Sequence, residues 1–164
     1  MMENKKRDYP FLKESSIEDE ASKLLKAFAK EKGNNIQAPI PVFDIIEYLG
    51  YDIDFRTDGI YQDENILGGL LISKKMVEIN ENLSNQEGRM NFTAAHETGH
   101  IVLHVPYYLE QNKTEEKEKT EIICRKNEGF EGNKKAPEEW QADKFAANLL
   151  MPSKMVKKAF FQIQ

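Results

Sequence analysis

The sequence predicts a small α+β domain, with a short three-stranded antiparallel or mixed sheet packed on a central helix and further helices around it. Three observations carry this reading. Residues 84–104 read as one helix holding the string His96-Glu97-Thr98-Gly99-His100. Three short strand patterns between Tyr51 and Asn80 precede it directly. A second strong helix pattern runs from Pro137 to Met151 after a long charged segment. The length of 164 residues fits one domain with a sizeable core.

Residues 1–14 are polar and read as a disordered tail, leaving 15–164 as a single domain. Ser15-x-x-Glu18 has the form of a capping box, with Ile17, Ala21, Leu24, Leu25 and Phe28 following at helical period and Gly33 placed as a C-cap. Pro41 is suited to start a short helix through Phe43, Ile45, Ile46 and Leu49, ended by Gly50. Tyr51, Ile53 and Phe55 alternate with polar residues, the pattern of a half-buried strand. Ile66 to Ile72 reads as a second strand, and Ser73-Lys74-Lys75 turns into a third, Met76 to Asn80. Gly68 and Gly69 mark either a bulge or a close backbone approach. That strand is either an edge that pairs with extended peptide or part of a plain hairpin.

Ser84-x-x-Glu87 places Ser84 as N-cap of the central helix, and Pro106 as its stop. Gly99 would cost roughly 1 kcal/mol against Ala in a helix interior, which points to something lying close to the backbone there. Residues 107–136 form a long charged loop, either a lid over a site or a mobile connection, with Ile122-Ile123-Cys124 as a short strand or plug. Pro137 opens the second helix and Pro152 closes it. Ser153 caps a last helix through Met155, Val156, Ala159 and Phe160.

The composition, 40% hydrophobic and 31% charged, is that of a globular chain, and the formal charge of −5 argues against nucleic-acid binding as its main task. The single cysteine, Cys124, rules out an internal disulfide and fits a reducing compartment. The first twenty residues hold no apolar core of a secretory signal, and no apolar run approaches the ~18 residues of a membrane span. The expected location is cytoplasmic, with no membrane contact.

His-Glu-x-x-His has a mechanical reason. Residues four apart on an α-helix share one face, so His96 and His100 can aim ring nitrogens at a single zinc ion. Glu97, rotated by about 100°, sits beside the metal and can act as a base toward an attacking water. Catalytic zinc takes three protein ligands, and the third is a histidine or a carboxylate from elsewhere. His104 lies about 12 Å along the axis from His96 and cannot share its ion within a continuous helix. The metzincin pattern needs glycine at position 103 and histidine at position 106, where this chain has Leu103 and Pro106. His104 instead supports the ligands from behind or caps the helix C-terminus. Glu139, Ala142, Asp143 and Ala146 share one face of the second helix, and the small residues let it lie close while the acids point across. Glu139 is the best-placed third ligand. Asp143, one turn on, can accept the outer ring N–H of a ligand histidine.

With both helices in view the chain resembles the ImmA/IrrE family of metallopeptidases. The matching pieces are residues 89–104, from Arg89 through His96-Glu97-Thr98-Gly99-His100 to His104, and residues 139–152, from Glu139 to Pro152. Gly68-Gly69 and Val77-Glu78-Ile79-Asn80 fit the same order, and the resemblance covers about residues 17–157. It implies a zincin-like, minigluzincin-type fold with one Zn2+ per chain, another divalent metal being an alternative in the cell. Carried over by position, the ligands are His96, His100 and Glu139, with Glu97 as catalytic base. It implies a protein substrate, a helix-turn-helix repressor whose cleavage releases mobile-element or stress genes. Two alternatives stand beside this: an anti-repressor that contains zinc and sequesters its repressor without cutting, and a metallopeptidase acting on another substrate.

Overall fold

Apolar residues at helical spacing and alternating residues at strand spacing produce the elements where the sequence places them, with shifts at several ends. The structure, a computed structural model, describes residues 9–33, 36–57, 66–111, 121–125 and 136–162. The elements are α1 (Glu14–Lys32), α2 (Val42–Tyr48), β1 (Asp52–Arg56), β2 (Ile66–Leu71), β3 (Met76–Asn80), a 3-10 turn (Glu81–Leu83), α3 (Glu87–Leu103), α4 (Val105–Gln111), β4 (Glu121–Arg125), α5 (Pro137–Leu150) and α6 (Ser153–Gln162). The sheet is mixed, in the order β1-β3-β2-β4. β1 runs parallel to β3, while β2 is antiparallel to both β3 and β4. The fold is therefore the small α+β domain expected.

α3 lies at the centre, and every residue from Thr93 to Ile101 is buried. β2 and β3 cover one side of it, and α5 crosses another. α1 packs on α5 through the Ile17–Phe28 stripe. Leu70, Val77 and Ile79 from the sheet meet Ala94 and Ala95 of α3 and Phe145 and Leu149 of α5 in one core. Fully burying a side chain of Leu, Val or Phe size contributes about 1.5–3 kcal/mol, so this shared core holds the layers together. Among the described residues no helix is long and apolar enough to cross a membrane.

Several local expectations are corrected. The sheet has four strands, because residues 121–125 pair with β2 and the long connection is not wholly a loop. Residues 112–120 and 126–135 of that connection lie outside the described residues. β2 is consequently an inner strand, and the two edges are β1 and β4. Its register with β4 shifts between Ile66 and Gly68, the bulge that the glycines allow. Ser84 does not cap α3. It closes the 3-10 turn that Asn80 starts by accepting the Asn82 N–H at 3.0 Å, and Gln86 occupies the N-cap of α3. Ser15 likewise lies inside the first turn of α1, since Ser16 and Ile17 donate to the Lys13 carbonyl. Pro106 opens α4 after a single-residue break at His104, where its missing N–H has no helical partner to lose. Finally, Tyr9 to Lys13 do not behave as a free tail: the Pro10 carbonyl accepts a hydrogen bond from Gln141 of α5, and Leu12 packs against the core.

Two glycines of α3 make a controlled pair. A Cβ at Gly99 would lie 3.1 Å from both Cα and O of Ala142 and 3.2 Å from Cβ of Phe145, whereas one at Gly88 meets nothing within 4 Å. Gly99→Val is expected to destabilise the protein by about 1–3 kcal/mol or more through overpacking. Gly88→Ala is expected to be neutral or to stabilise by up to about 1 kcal/mol. Equal effects of the two in thermal unfolding would contradict the close crossing of α3 and α5.

Candidate metal centre

Helical spacing on α3 stacks His96, His100 and His104 along one face, and all three histidines of the chain are buried there. Nε2 of His96 and Nε2 of His100 lie 3.0 Å apart. α5 arrives from across the crossing with Glu139, whose Oε2 is 2.8 Å from His96 Nε2 and whose Oε1 is 3.3 Å from His100 Nε2. Gly99, with no Cβ, faces the backbone of the small residue Ala142, which allows the helices to approach closely enough for a glutamate to reach both rings. One turn along α5, Asp143 Oδ1 sits 2.8 Å from His96 Nδ1. Behind His100, its Nδ1 lies 2.9 Å from His104 Nδ1, and His104 Nε2 is 2.8 Å from Gln141 Oε1.

Glu97 is fully buried, and neither of its carboxyl oxygens has a hydrogen-bond partner. Its neighbour across the sheet is Gly68 of β2, where a Cβ would lie 2.6 Å from Thr93 Cγ2 and 3.4 Å from Glu97 Oε1. β2 can lie over the Glu97 face of α3 only because position 68 has no side chain.

The electrostatics follow from burial. Loss of water pushes the Glu97 carboxyl up to about 8, with His96 pulling it down and Glu139 pushing it further up. Burial also pushes Glu139 up, but the adjacent rings of His100 and His96 outweigh it and hold this carboxyl well below the usual range. Burial lowers His100, and it lowers His104 to about 4 with help from the neighbouring His100. The result is a carboxylate on Glu139, two imidazoles on His100 and His104 that resist protonation, and a basic Glu97.

This donor set fits a divalent metal. His96, His100 and Glu139 each offer one ligand atom, all within 4.8 Å of one another. Zinc with ligand bonds of about 2.0–2.1 Å in a tetrahedral array sets neighbouring donors roughly 3.3 Å apart, close to the separations found. The outer nitrogen of each ring has its own partner, which is the arrangement that turns Nε2 inward. A buried carboxyl with two unpartnered oxygens is rare, and at Glu97 it marks the place where a polar reactant belongs. All six residues singled out from the sequence (His96, Glu97, His100, His104, Glu139 and Asp143) fall within this cluster or directly behind it. Gln141 was not among them. Its signal is its place four residues before Phe145 and eight before Leu149, on the buried stripe of α5. The sequence marks Gly68 only as a bulge or close approach; its neighbour is the Glu97 face of α3.

The raised pKa of Glu97 has a sign that can be checked in metal-free protein. An acid held up to about 8 when folded, against 4.5 ordinarily, opposes folding once ionised, so its penalty grows as pH rises from about 4.5 to 8. Glu97→Gln removes that penalty and is expected to be more stable than the wild type at pH 8, by an amount on the order of a few kcal/mol. The gap is expected to narrow toward pH 5. His100 and His104 titrate the opposite way in both proteins and cancel in the comparison. Denaturant unfolding of chelator-treated proteins at the two pH values checks this, and a gap independent of pH would contradict it.

Residues 52–164 match the sequence family described as the IrrE N-terminal-like domain, a peptidase family. The match takes in the sheet, α3 and α5, and so every residue of the cluster. A search of curated proteins finds no match. Matched over more than half its length, the chain belongs to the IrrE N-terminal-like peptidase family.

Proposed function

We propose that the chain is a zinc-dependent endopeptidase, with one ion held by His96, His100 and Glu139, and that its substrate is a helix-turn-helix transcriptional repressor. Cleavage of that repressor would release mobile-element or stress genes. The observation that best supports the peptidase reading is the convergence of these three donors, two from α3 and one from α5, within 4.8 Å of one another, beside a Glu97 carboxyl buried without a hydrogen-bond partner. The substrate class rests on the resemblance to the ImmA/IrrE family.

When bound, zinc supplies a Lewis acid that makes water more acidic and polarises the scissile carbonyl. The chain's own residues do the rest. His96 and His100 present Nε2 lone pairs, and Glu139 presents an ionised oxygen. Asp143 accepts the His96 Nδ1–H and fixes that ring. Glu97 takes the proton from the attacking water as the C–O bond forms, then delivers it to the amine nitrogen as the C–N bond breaks. A site that only held metal for structure would have no use for a base, and an unpartnered buried carboxyl is costly to keep. That weighs against a purely sequestering anti-repressor.

The experiment is incubation of the zinc-loaded protein with the repressor encoded beside its gene, read by intact mass. Wild type is expected to give two fragments. Glu97→Gln is expected to retain one zinc per chain while cleavage falls by about 10²–10⁴-fold, the usual contribution of a general acid–base group. Glu139→Ala is expected to lose tight zinc binding. Unchanged zinc content in Glu139→Ala would refute the ligand assignment. Equal release of repressed genes by wild type and Glu97→Gln, with the repressor intact, would establish sequestration instead.

A further inference from the structure

Behind His100 the hydrogen bonds have a direction that can be derived from one end. His100, His104 and Gln141 are each at most 1% exposed, so their polar atoms must be satisfied within the protein. The far end of the chain of contacts is the Pro10 carbonyl, 3.2 Å from Gln141 Nε2. A carbonyl oxygen only accepts, so the Gln141 amide must turn its NH2 toward Pro10. The flipped amide would set two oxygens against each other at that distance. Gln141 Oε1 therefore faces His104 Nε2 at 2.8 Å, and since it too only accepts, His104 carries its proton on Nε2. A neutral imidazole has one donor and one acceptor, which leaves a lone pair on His104 Nδ1. The 2.9 Å contact to His100 is then a donation from His100 Nδ1–H, and the remaining lone pair of His100 is on Nε2, facing His96 and Glu139. Tyr9 packs its ring on His104 with centroids 4.8 Å apart, so the segment that supplies the terminal acceptor also covers the relay.

We propose that His104 and Gln141 are positioning residues, a directional relay that fixes His100 in its Nε2-ligating tautomer, with the sense of the relay set by the Pro10 carbonyl. This deepens the metallopeptidase reading and rests on it. It also makes the two ligand rings unlike each other. His96 is oriented directly by a carboxylate, whereas His100 is oriented through two neutral side chains that end on a segment preceding α1. Docking of residues 9 and 10 and capture of the metal are therefore linked, and each favours the other.

Two measurements test this. Long-range 1H–15N NMR on the full chain reads the ring tautomers, and is expected to find His104 protonated on Nε2 with and without zinc, and His100 on Nδ1 alone once zinc is bound. A His104 proton on Nδ1 would overturn the relay. Chelator competition then reads zinc affinity in two variants. Gln141→Met keeps the length but is at best a weak acceptor and donates nothing to Pro10, and is expected to weaken zinc binding by about 10–100-fold. Gln141→Glu keeps an acceptor for His104 Nε2–H but gives up the N–H donated to Pro10, and is expected to lose clearly less zinc affinity than Gln141→Met. Wild-type affinity in Gln141→Met, or equal losses in both variants, would overturn the proposal by making the side chain either irrelevant or merely a packing element. If Gln141→Met does not fold, the tautomers of the wild type still decide. A wild-type chain that binds no zinc would refute the metallopeptidase reading instead, and the tautomers in the metal-free protein would judge the relay separately.

Discussion

The separation of two helix backbones governs the rest of this molecule. Where α3 and α5 cross, Gly99 faces the backbone of Ala142 so closely that even a methyl group would press on it. A glutamate side chain has a short reach, and only at this separation can Glu139 touch rings on two successive turns of α3. The same crossing sets Asp143 behind His96 and Gln141 behind His104, which in turn backs His100. α1 braces α5 from outside through its apolar stripe, and the Phe145–Leu149 side of α5 closes the core. Packing that looks like ordinary core formation thus sets the distances between the polar groups.

The histidines, Glu97 and Gln141 lie out of water, with Glu139 and Asp143 half-buried beside them, and burying such groups without partners would be expensive. The fold meets this with a closed set of hydrogen bonds: Asp143 to His96, His104 to His100, Gln141 to His104, and Pro10 at the end. Glu97 stands apart as a carboxyl buried without a hydrogen-bond partner. Gly68 deepens that burial by letting β2 lie over it. A side chain kept basic and unpartnered is a poor choice for stability and a good one for moving a proton.

Much of this was legible in the sequence, for physical reasons that also mark the limits. The i, i+4 spacing of His96 and His100, and the shared face of Glu139, Ala142, Asp143 and Ala146, translate into geometry almost without tertiary information. The cost of Gly99 in a helix interior pointed to a close approach, and α5 is what approaches. Strand β4 was less legible because five residues in a charged segment show little periodicity, and pairing with β2 decides their state. Both serine caps were misplaced because local alternatives won: Asn80 organised a 3-10 turn ahead of α3, and Lys13 offered its carbonyl to two amides of α1. Gln141 and Pro10 were invisible because their partnership spans 131 residues of sequence and joins a side chain to a backbone carbonyl.

The central claim is that His96, His100 and Glu139 share one ion. X-ray absorption at the zinc edge of the loaded protein tests it most directly. Two imidazole nitrogens at about 2.0–2.1 Å, with oxygen completing the coordination, are the expected result. A sulfur donor at about 2.3 Å would bring in Cys124 or a methionine and contradict the site. Three imidazoles would contradict it equally, because His104 would then be a ligand and could not stand behind one.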